Sequence, residues 1–333
     1  MPKGIFGGHA ALILEPLPWR HQQKSRPTPM TTSILVAGAT GDLGGRIVRE
    51  LLSHDTRVRV LTRPGSGTAR GQYGNNDRID IVEAAYSDRS ALTSALDGVE
   101  TVISAVSGVR PVILDAQRAL LAAALGAEVP RFIPSDFSSD YRRIALGSNR
   151  NFELRREFAA HLDAAPIKAT SVLNGAFADM LTGQAPMISF KRRRVMFWSS
   201  PDQVLDFTTK DDVARTTALV ALDENAPRVV EIAGDRVTAR DVARTISQLT
   251  GSSFNLQWAG TTGSLSAMSK IVRRLSRDTD TTFPAWQGMQ YFVSMFSGQA
   301  QLHHVDNDRY GKHSWTTVRE VLAAHLHRTK AAH

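Results

Sequence analysis

Cysteine is absent from the 333 residues, which excludes disulfides, thiolate nucleophiles, thiol redox switches and cysteine zinc sites. The ten histidines show no metal-binding helical spacing, and the pair His303 and His304 reads as a surface or packing feature, so no metal is expected. No apolar run approaches the roughly 18 residues of a membrane-crossing helix, so no membrane partner is expected and the chain reads as cytoplasmic. Acidic charge is in deficit: Lys and Arg exceed Asp and Glu by eight. That excess suits an anionic ligand without indicating nucleic acid. The densest basic run, Lys191 to Arg194, lies between the apolar stretches Met187 to Phe190 and Val195 to Trp198. It reads as a hairpin turn or exposed rim, and no nucleic-acid partner is expected.

What the chain has is a glycine loop. Residues Ile34 to Glu50, ILVAGATGDLGGRIVRE, read as a buried strand, a turn and the opening of an amphipathic helix carrying Ile47, Val48, Leu51 and Leu52. Gly38 permits the tight turn, Gly41 lets the backbone approach phosphate oxygens, and Gly44 lets the helix pack closely on the strand. The helix N-terminus then offers unpaired N–H groups and a partial positive charge to an anion, which is how a dinucleotide pyrophosphate is held. Thr40, Asp42 and Leu43 belong to the same cradle. A second strand, Val58 to Leu61, ends at Thr62 and Arg63, with no acidic residue where NAD-preferring sites place one for the ribose 2′-hydroxyl. A carboxylate there repels a 2′-phosphate, whereas the Arg63 guanidinium holds it, so NADP(H) is the expected cofactor. Ser66 and Arg70 are candidate helpers.

The length and the 42% apolar content allow a substantial core. Strands and helices alternate after the loop, with further strands at Ile79 to Val82, Thr101 to Ala105, Arg131 to Pro134 and Ala169 to Leu173. Helices are expected near Ser90 to Leu96, Val112 to Leu125 and Phe152 to Leu162. This predicts an α/β, doubly wound parallel sheet with a smaller α+β substrate lobe. The divisions are 30–175 for the dinucleotide domain, with 205–235 returning to it, and 176–330 mainly for the lobe. Residues 1–29, with five prolines and one short apolar run, read as a disordered extension dispensable for folding. Ligands bind beyond the carboxyl ends of such strands, so Gly38 to Gly44, Arg63, Tyr86, Ser104, Ala105, Val106, Ser107, Pro134, Ser135, Asp136 and Phe137 should converge on one cleft. The aromatic-rich stretch 254–300 reads first as a packing face and second as the wall of an apolar pocket, with Phe137, Phe177 and Trp286 as its candidate lining.

Several segments together resemble one family, the NmrA-like and isoflavone-reductase-like group of atypical short-chain dehydrogenases. They are VAGATGDLGGRIV (36–48), LTR (61–63), VISAVSG (102–108), RFIPSDF (131–137), TSVLNGAFADML (170–181) and DFTTKDDVA (206–214). The resemblance covers about Met30 to Leu326. It implies a Rossmann domain, NADPH and, in the reductase branch, reduction of small aromatic molecules. Other members bind the cofactor and regulate without catalysis. The departure is at 151–158, NFELRREF, where the reductase branch carries a proton-transferring lysine and this chain carries Arg155 and Arg156. Arginine stays protonated and is a poor proton donor, although it polarises a carbonyl or binds an acidic group. No tyrosine of the chain starts a Tyr-x-x-x-Lys pair. The proton donor is therefore open among Tyr141, Asp136, Ser135, His161 and water.

The leading expectation is an NADPH-dependent reductase of a small apolar, aromatic or quinone-like carbonyl or alkene, with Arg155 and Tyr141 in catalysis and Asn174 as a polar anchor. A non-catalytic NADP(H)-binding sensor is the alternative, and an isomerase, epimerase or cyclase with bound cofactor is a third class. Monomer and homodimer are both compatible with the sequence.

Overall fold

The computed structural model describes residues 33–183, 185–277 and 281–331; the extension expected at 1–29 lies outside them. Strand β1 (Ser33–Ala37) leads through the glycine turn into helix α1 (Asp42–Ser53) and then β2 (Arg57–Thr62), α2 (Gly67–Tyr73), β3 (Ile79–Glu83), α3 (Arg89–Ala95) and β4 (Thr101–Ser104). A π-helical turn, Pro111–Ala116, opens the next helix, α4 (Gln117–Gly126); β5 (Arg131–Ile133), α5 (Arg150–Asp163) and β6 (Lys168–Ala169) follow. The six strands form one parallel sheet in the order β3-β2-β1-β4-β5-β6. The chain order reverses direction between β1 and β4, the switch point at which a crevice opens beyond the strand ends.

Alternation along β1 shows why the fold closes. Ile34 and Val36 pack with Ile47, Val48 and Leu51 of α1 on one face, while Leu35 and Ala37 pack with Leu92, Leu120, Leu121 and Phe158 on the other. Both faces are covered by helices, so the strand is apolar throughout rather than every second residue.

The sixth strand expected at Ala169 to Leu173 is corrected. The N–H of Thr170 donates to Phe132 O at 3.1 Å, but that of Ser171 donates to Arg228 O at 2.9 Å. The chain changes partners between these residues, and β7 (Ser171–Leu173) leaves the sheet to pair in parallel with a strand at Val229–Glu231. The remaining elements are β8 (Ala176–Phe177), β9 (Ile188–Ser189), β10 (Arg194–Phe197), β11 (Leu205–Thr208), α6 (Lys210–Leu222), β12 (Val229–Glu231), β13 (Asp235–Val237), α7 (Ala239–Thr250), β14 (Asn255–Trp258), α8 (Thr262–Leu275), α9 (Ala285–Phe296) and α10 (Val318–Ala331).

Strands β9 and β10 are the antiparallel pair expected around the basic run, which is an exposed turn. Val213, Ala214 and Ala218 of α6 join the α1 face of the main sheet. A second core is aromatic: Trp198 stacks on Phe292 at 4.9 Å and meets Phe296 edge-on at 5.4 Å, with Phe254, Val242 and Ile246 around them. The stretch 254–300 is thus divided. Phe254, Phe292 and Phe296 are core, whereas Trp258 and Phe283 are exposed.

Candidate functional site

Gly38 has φ +81°, and a Cβ on it would lie 2.6 Å from Ala105 O. On Gly44 a Cβ would lie 2.1 Å from Gly38 O. Both contacts are with backbone, so neither yields cheaply. Gly41 is less constrained, with φ −78° and its nearest contact at 3.2 Å. It caps α1 without any side-chain hydrogen bond and is exposed with Thr40, so no capping side chain takes up the first N–H groups of the helix. Leu43 is half-buried. The Tyr73 hydroxyl donates to Ala39 O at 2.7 Å and braces the turn from α2.

Asp42 is committed elsewhere. Its carboxylate accepts from Lys210 Nζ at 2.6 Å and Arg46 Nε at 2.8 Å, and the Lys210 ammonium, then the Arg46 guanidinium, hold its pKa below the usual carboxylate value. Only its backbone N–H is left for an anion. Lys210 itself stands at the start of α6, beside the glycine loop. It was legible only as one residue of DFTTKDDVA.

At the end of β2, Arg63 is exposed and has no acidic partner among the described residues. Arg70, by contrast, faces Glu83 at 3.4 Å, and Glu83 also accepts the Gly65 N–H at 2.9 Å. Arg63 is therefore the free cation of this corner, and Ser66 precedes α2 without a side-chain capping bond.

The loops after β1, β4 and β5 are tied together. Ala105 N–H donates to Ala37 O at 2.8 Å, Ser135 Oγ donates to Val106 O at 2.5 Å, and the Ser135 N–H donates to Gln117 Oε1 at 2.9 Å. Gln117 is a buried amide inside an apolar helix, which is its signal in the sequence. Pro134 is buried. Burial pushes the nearby Tyr86 phenol up to about 12, so it stays neutral.

Beyond these loops lies a buried polar cluster. Asp136 is fully buried; its Oδ2 accepts from Tyr141 Oη at 2.8 Å and Ser171 Oγ at 2.7 Å. Ser171 in turn receives Arg228 Nη1 at 2.7 Å. The buried atoms with no hydrogen-bond partner among the described residues include Ser104 Oγ, Asp136 Oδ1 and Asn174 Oδ1 at or just after strands, and Arg155 Nε and Arg156 Nε on α5. Buried polar groups are paired as a rule, and exceptions concentrate where ligands bind.

Several candidates are corrected here. Tyr141 is buried and its hydroxyl donates a hydrogen bond to Asp136 Oδ2, and burial with the Asp136 carboxyl beside it raises its pKa; it does not present a free phenol to a cleft. Asn174 is fully buried, donating Nδ2 to Gly175 O at 3.2 Å while its own carbonyl accepts Thr208 Oγ1 at 2.7 Å, so it braces the strand ends. Phe137 packs in the core with Val36, Ile133 and Val172 because its strand-end turn points it inward. Trp286 is buried with the guanidinium groups of Arg150 and Arg273 over its ring at 4.6 and 4.9 Å, so those cations occupy the ring face that a substrate would stack on. Phe177 alone of the three is half-buried beside the main core. His161 is exposed in the last turn of α5. Arg156 donates to Tyr141 O and Ile144 O at 2.6 and 2.5 Å and is a loop brace. Among the described residues Arg155 donates from Nη1 to Asn151 O at 3.1 Å, and its Nε has no partner.

Burial raises the Asp136 pKa above its ordinary value of 3.8, against the hydrogen bonds from Ser171 and Tyr141. The folded chain then binds this proton more tightly than the unfolded chain. Stability is greatest below the ordinary carboxylate pKa and falls as pH rises through the raised one. Asp136→Asn keeps an acceptor for Tyr141 and Ser171 and should flatten that fall in melting temperature. An unchanged slope would contradict the assignment.

A model of the NmrA-like family matches residues 30–276. Pinoresinol reductase 1 of Arabidopsis thaliana is 32% identical over 201 residues, 56% of this chain and 63% of that protein. The chain thus spans less than two thirds of that curated relative's length. Among solved structures, "AtPrR2 with NADP+ and (+)pinoresinol" superposes with TM-score 0.75 at 23% identity, covering 89% of this chain and 99% of that one. The NADPH-dependent quinone oxidoreductase QOR2 of Escherichia coli, complexed with NADPH, gives 0.70 at 21%, covering 88% and 99%. These two likenesses establish the fold.

Proposed function

The chain belongs to the NmrA-like family, and on that premise we propose that it is an NADPH-dependent reductase of a small apolar, aromatic or quinone-like carbonyl or alkene. The observation that carries this reading is the Cβ-intolerant glycine turn between β1 and α1, packed on Ala105 at the switch point of the sheet. The residues fit a dinucleotide. The backbone from Gly38 to Gly44 would hold the pyrophosphate, Arg63 the 2′-phosphate, and Ser104, Ala105, Val106, Pro134 and Ser135 the nicotinamide side. NADPH, when bound, supplies a hydride. The names of the relatives, a pinoresinol reductase and a quinone oxidoreductase, point to the substrate class.

Arg155 is the electrostatic element. Its permanent charge stabilises negative charge developing on a substrate oxygen, a role in which a fixed cation in a site shielded from water is worth several kcal/mol, roughly 2.7–4 for a single donor. It does not deliver a proton. Tyr141 and Ser135 direct their hydroxyl hydrogens to Asp136 and Val106 O, Asp136 is fully buried and His161 is exposed in the last turn of α5, so water supplies the substrate's proton. The same arginine at the lysine position favours a second reading, a cofactor-binding regulator without turnover.

Two measurements separate the parts of this reading. NADPH should bind wild type at least about tenfold tighter than NADH, and Arg63→Ala should remove the preference, since a charge-assisted bond contributes roughly 1.5–3 kcal/mol. Equal dissociation constants in the wild type would refute the cofactor assignment. A panel of quinones, aromatic aldehydes and enones, with NADPH oxidation followed spectroscopically, tests turnover. Tight cofactor binding with no oxidation across the panel would select the regulator.

A further inference from the structure

Helix α8, Thr262–Leu275, buries one face and leaves an apolar one uncovered. Leu265 joins the aromatic core and Ser269 Oγ donates to Trp286 O at 3.0 Å. On the outer face Met268, Ile271 and Leu275 stand at spacings of three and four, so they form one stripe along the helix. They are 52%, 61% and 78% exposed. Ala267 on the same side is exposed as well, and Phe283, beyond the helix end, is 62% exposed. Lone exposed apolar residues are ordinary, but an aligned stripe of large ones is a contact surface.

The flank of the stripe is cationic. Lys270 and Arg274 lie one helical step from Ile271, and Arg277 follows the helix; all three are exposed and none has an acidic partner among the described residues. With Arg273, four basic residues stand against the two aspartates, Asp278 and Asp280, that follow in sequence. An apolar stripe bordered by lysine and arginine is the pattern of a helix lying in the plane of an anionic lipid surface, with apolar side chains among the acyl chains and cations at the headgroups. A second copy of this chain fits less well. Antiparallel pairing along the stripe would set Lys270 and Arg274 against themselves.

We propose that α8 docks this protein peripherally on an anionic bilayer surface, with Met268, Ile271 and Leu275 inserted and Lys270 and Arg274 at the headgroups. The contact lies on the surface and needs no membrane-crossing helix, of which there is none among the described residues. It goes beyond the reductase reading and is measured without substrate or turnover, so either can fail alone.

The test is co-sedimentation of the full chain with vesicles of phosphatidylcholine alone or mixed with phosphatidylglycerol. Wild type should partition at least about tenfold more onto the mixed vesicles, and the difference should collapse in high salt. Ile271→Ser with Leu275→Ser should reduce partition by about tenfold or more, as should Lys270→Glu with Arg274→Glu, each with unchanged melting temperature and NADPH affinity. No partition of wild type onto the mixed vesicles overturns the proposal. So does partition unaffected by either double variant, or a dimer in sedimentation that Ile271→Ser with Leu275→Ser dissociates.

Discussion

Gly44→Ala should lower the melting temperature by roughly 6–12 °C and weaken NADPH binding by about a hundredfold or more. The new Cβ would meet Gly38 O at 2.1 Å, Gly38 C at 2.8 Å and the Ala39 Cα at 3.0 Å. All three are backbone atoms of the turn itself. Overpacking at a rigid site costs about 3 kcal/mol, and in a chain of this size each kcal/mol moves the melting temperature by roughly 2–4 °C. Relief can come only by moving α1 away from β1, which shifts the N–H groups that face the pyrophosphate. Gly71→Ala is the control: it lies within α2 with nothing inside 4 Å of the added carbon, and should be neutral or slightly stabilising. A Gly44→Ala protein that melts with the wild type and binds NADPH normally would show that the loop is not the cradle described.

The second large effect is kinetic. Arg155→Ala should lower kcat by about 10²-fold while leaving the NADPH dissociation constant within about threefold, because the lost interaction forms only as charge develops on the substrate. Arg155→Lys retains the charge and should recover most of the rate. Arg156→Ala should behave differently, since its bonds go to Tyr141 O and Ile144 O: stability falls, and the rate per folded molecule changes little. Wild-type turnover in Arg155→Ala would remove the electrostatic role.

The glycine turn and the strand before Arg63 were legible because local chemistry dictates them. A strand, three glycines and a helix start have one geometry, and Arg63 ends a strand whose register the apolar alternation fixes. The remainder depended on contacts distant in sequence. Asp136 meets Ser171 across 35 residues and Arg46 meets Asp211 across 165, and no local pattern encodes either. Tyr141 and Asn174 looked available because polar residues near strand ends usually are; burial of the 135–141 segment and the partner switch at Ser171 enclosed them. Trp286 was read from apolar periodicity, which does not report that two arginines lie over the ring. The change from β6 to β7 was hidden because Ala169 to Leu173 has no glycine or proline to break it and reads as one strand, whichever neighbour it pairs with.

The most direct measurement follows deuterium from NADPH labelled at the transferring nicotinamide carbon into the product of any substrate that the wild type consumes. A reductase acting by direct hydride delivery places the label on the reduced carbon, and Arg155→Ala slows its appearance without diverting it. Cofactor binding with no labelled product from any quinone, aromatic aldehyde or enone, or product formed without label, would contradict it.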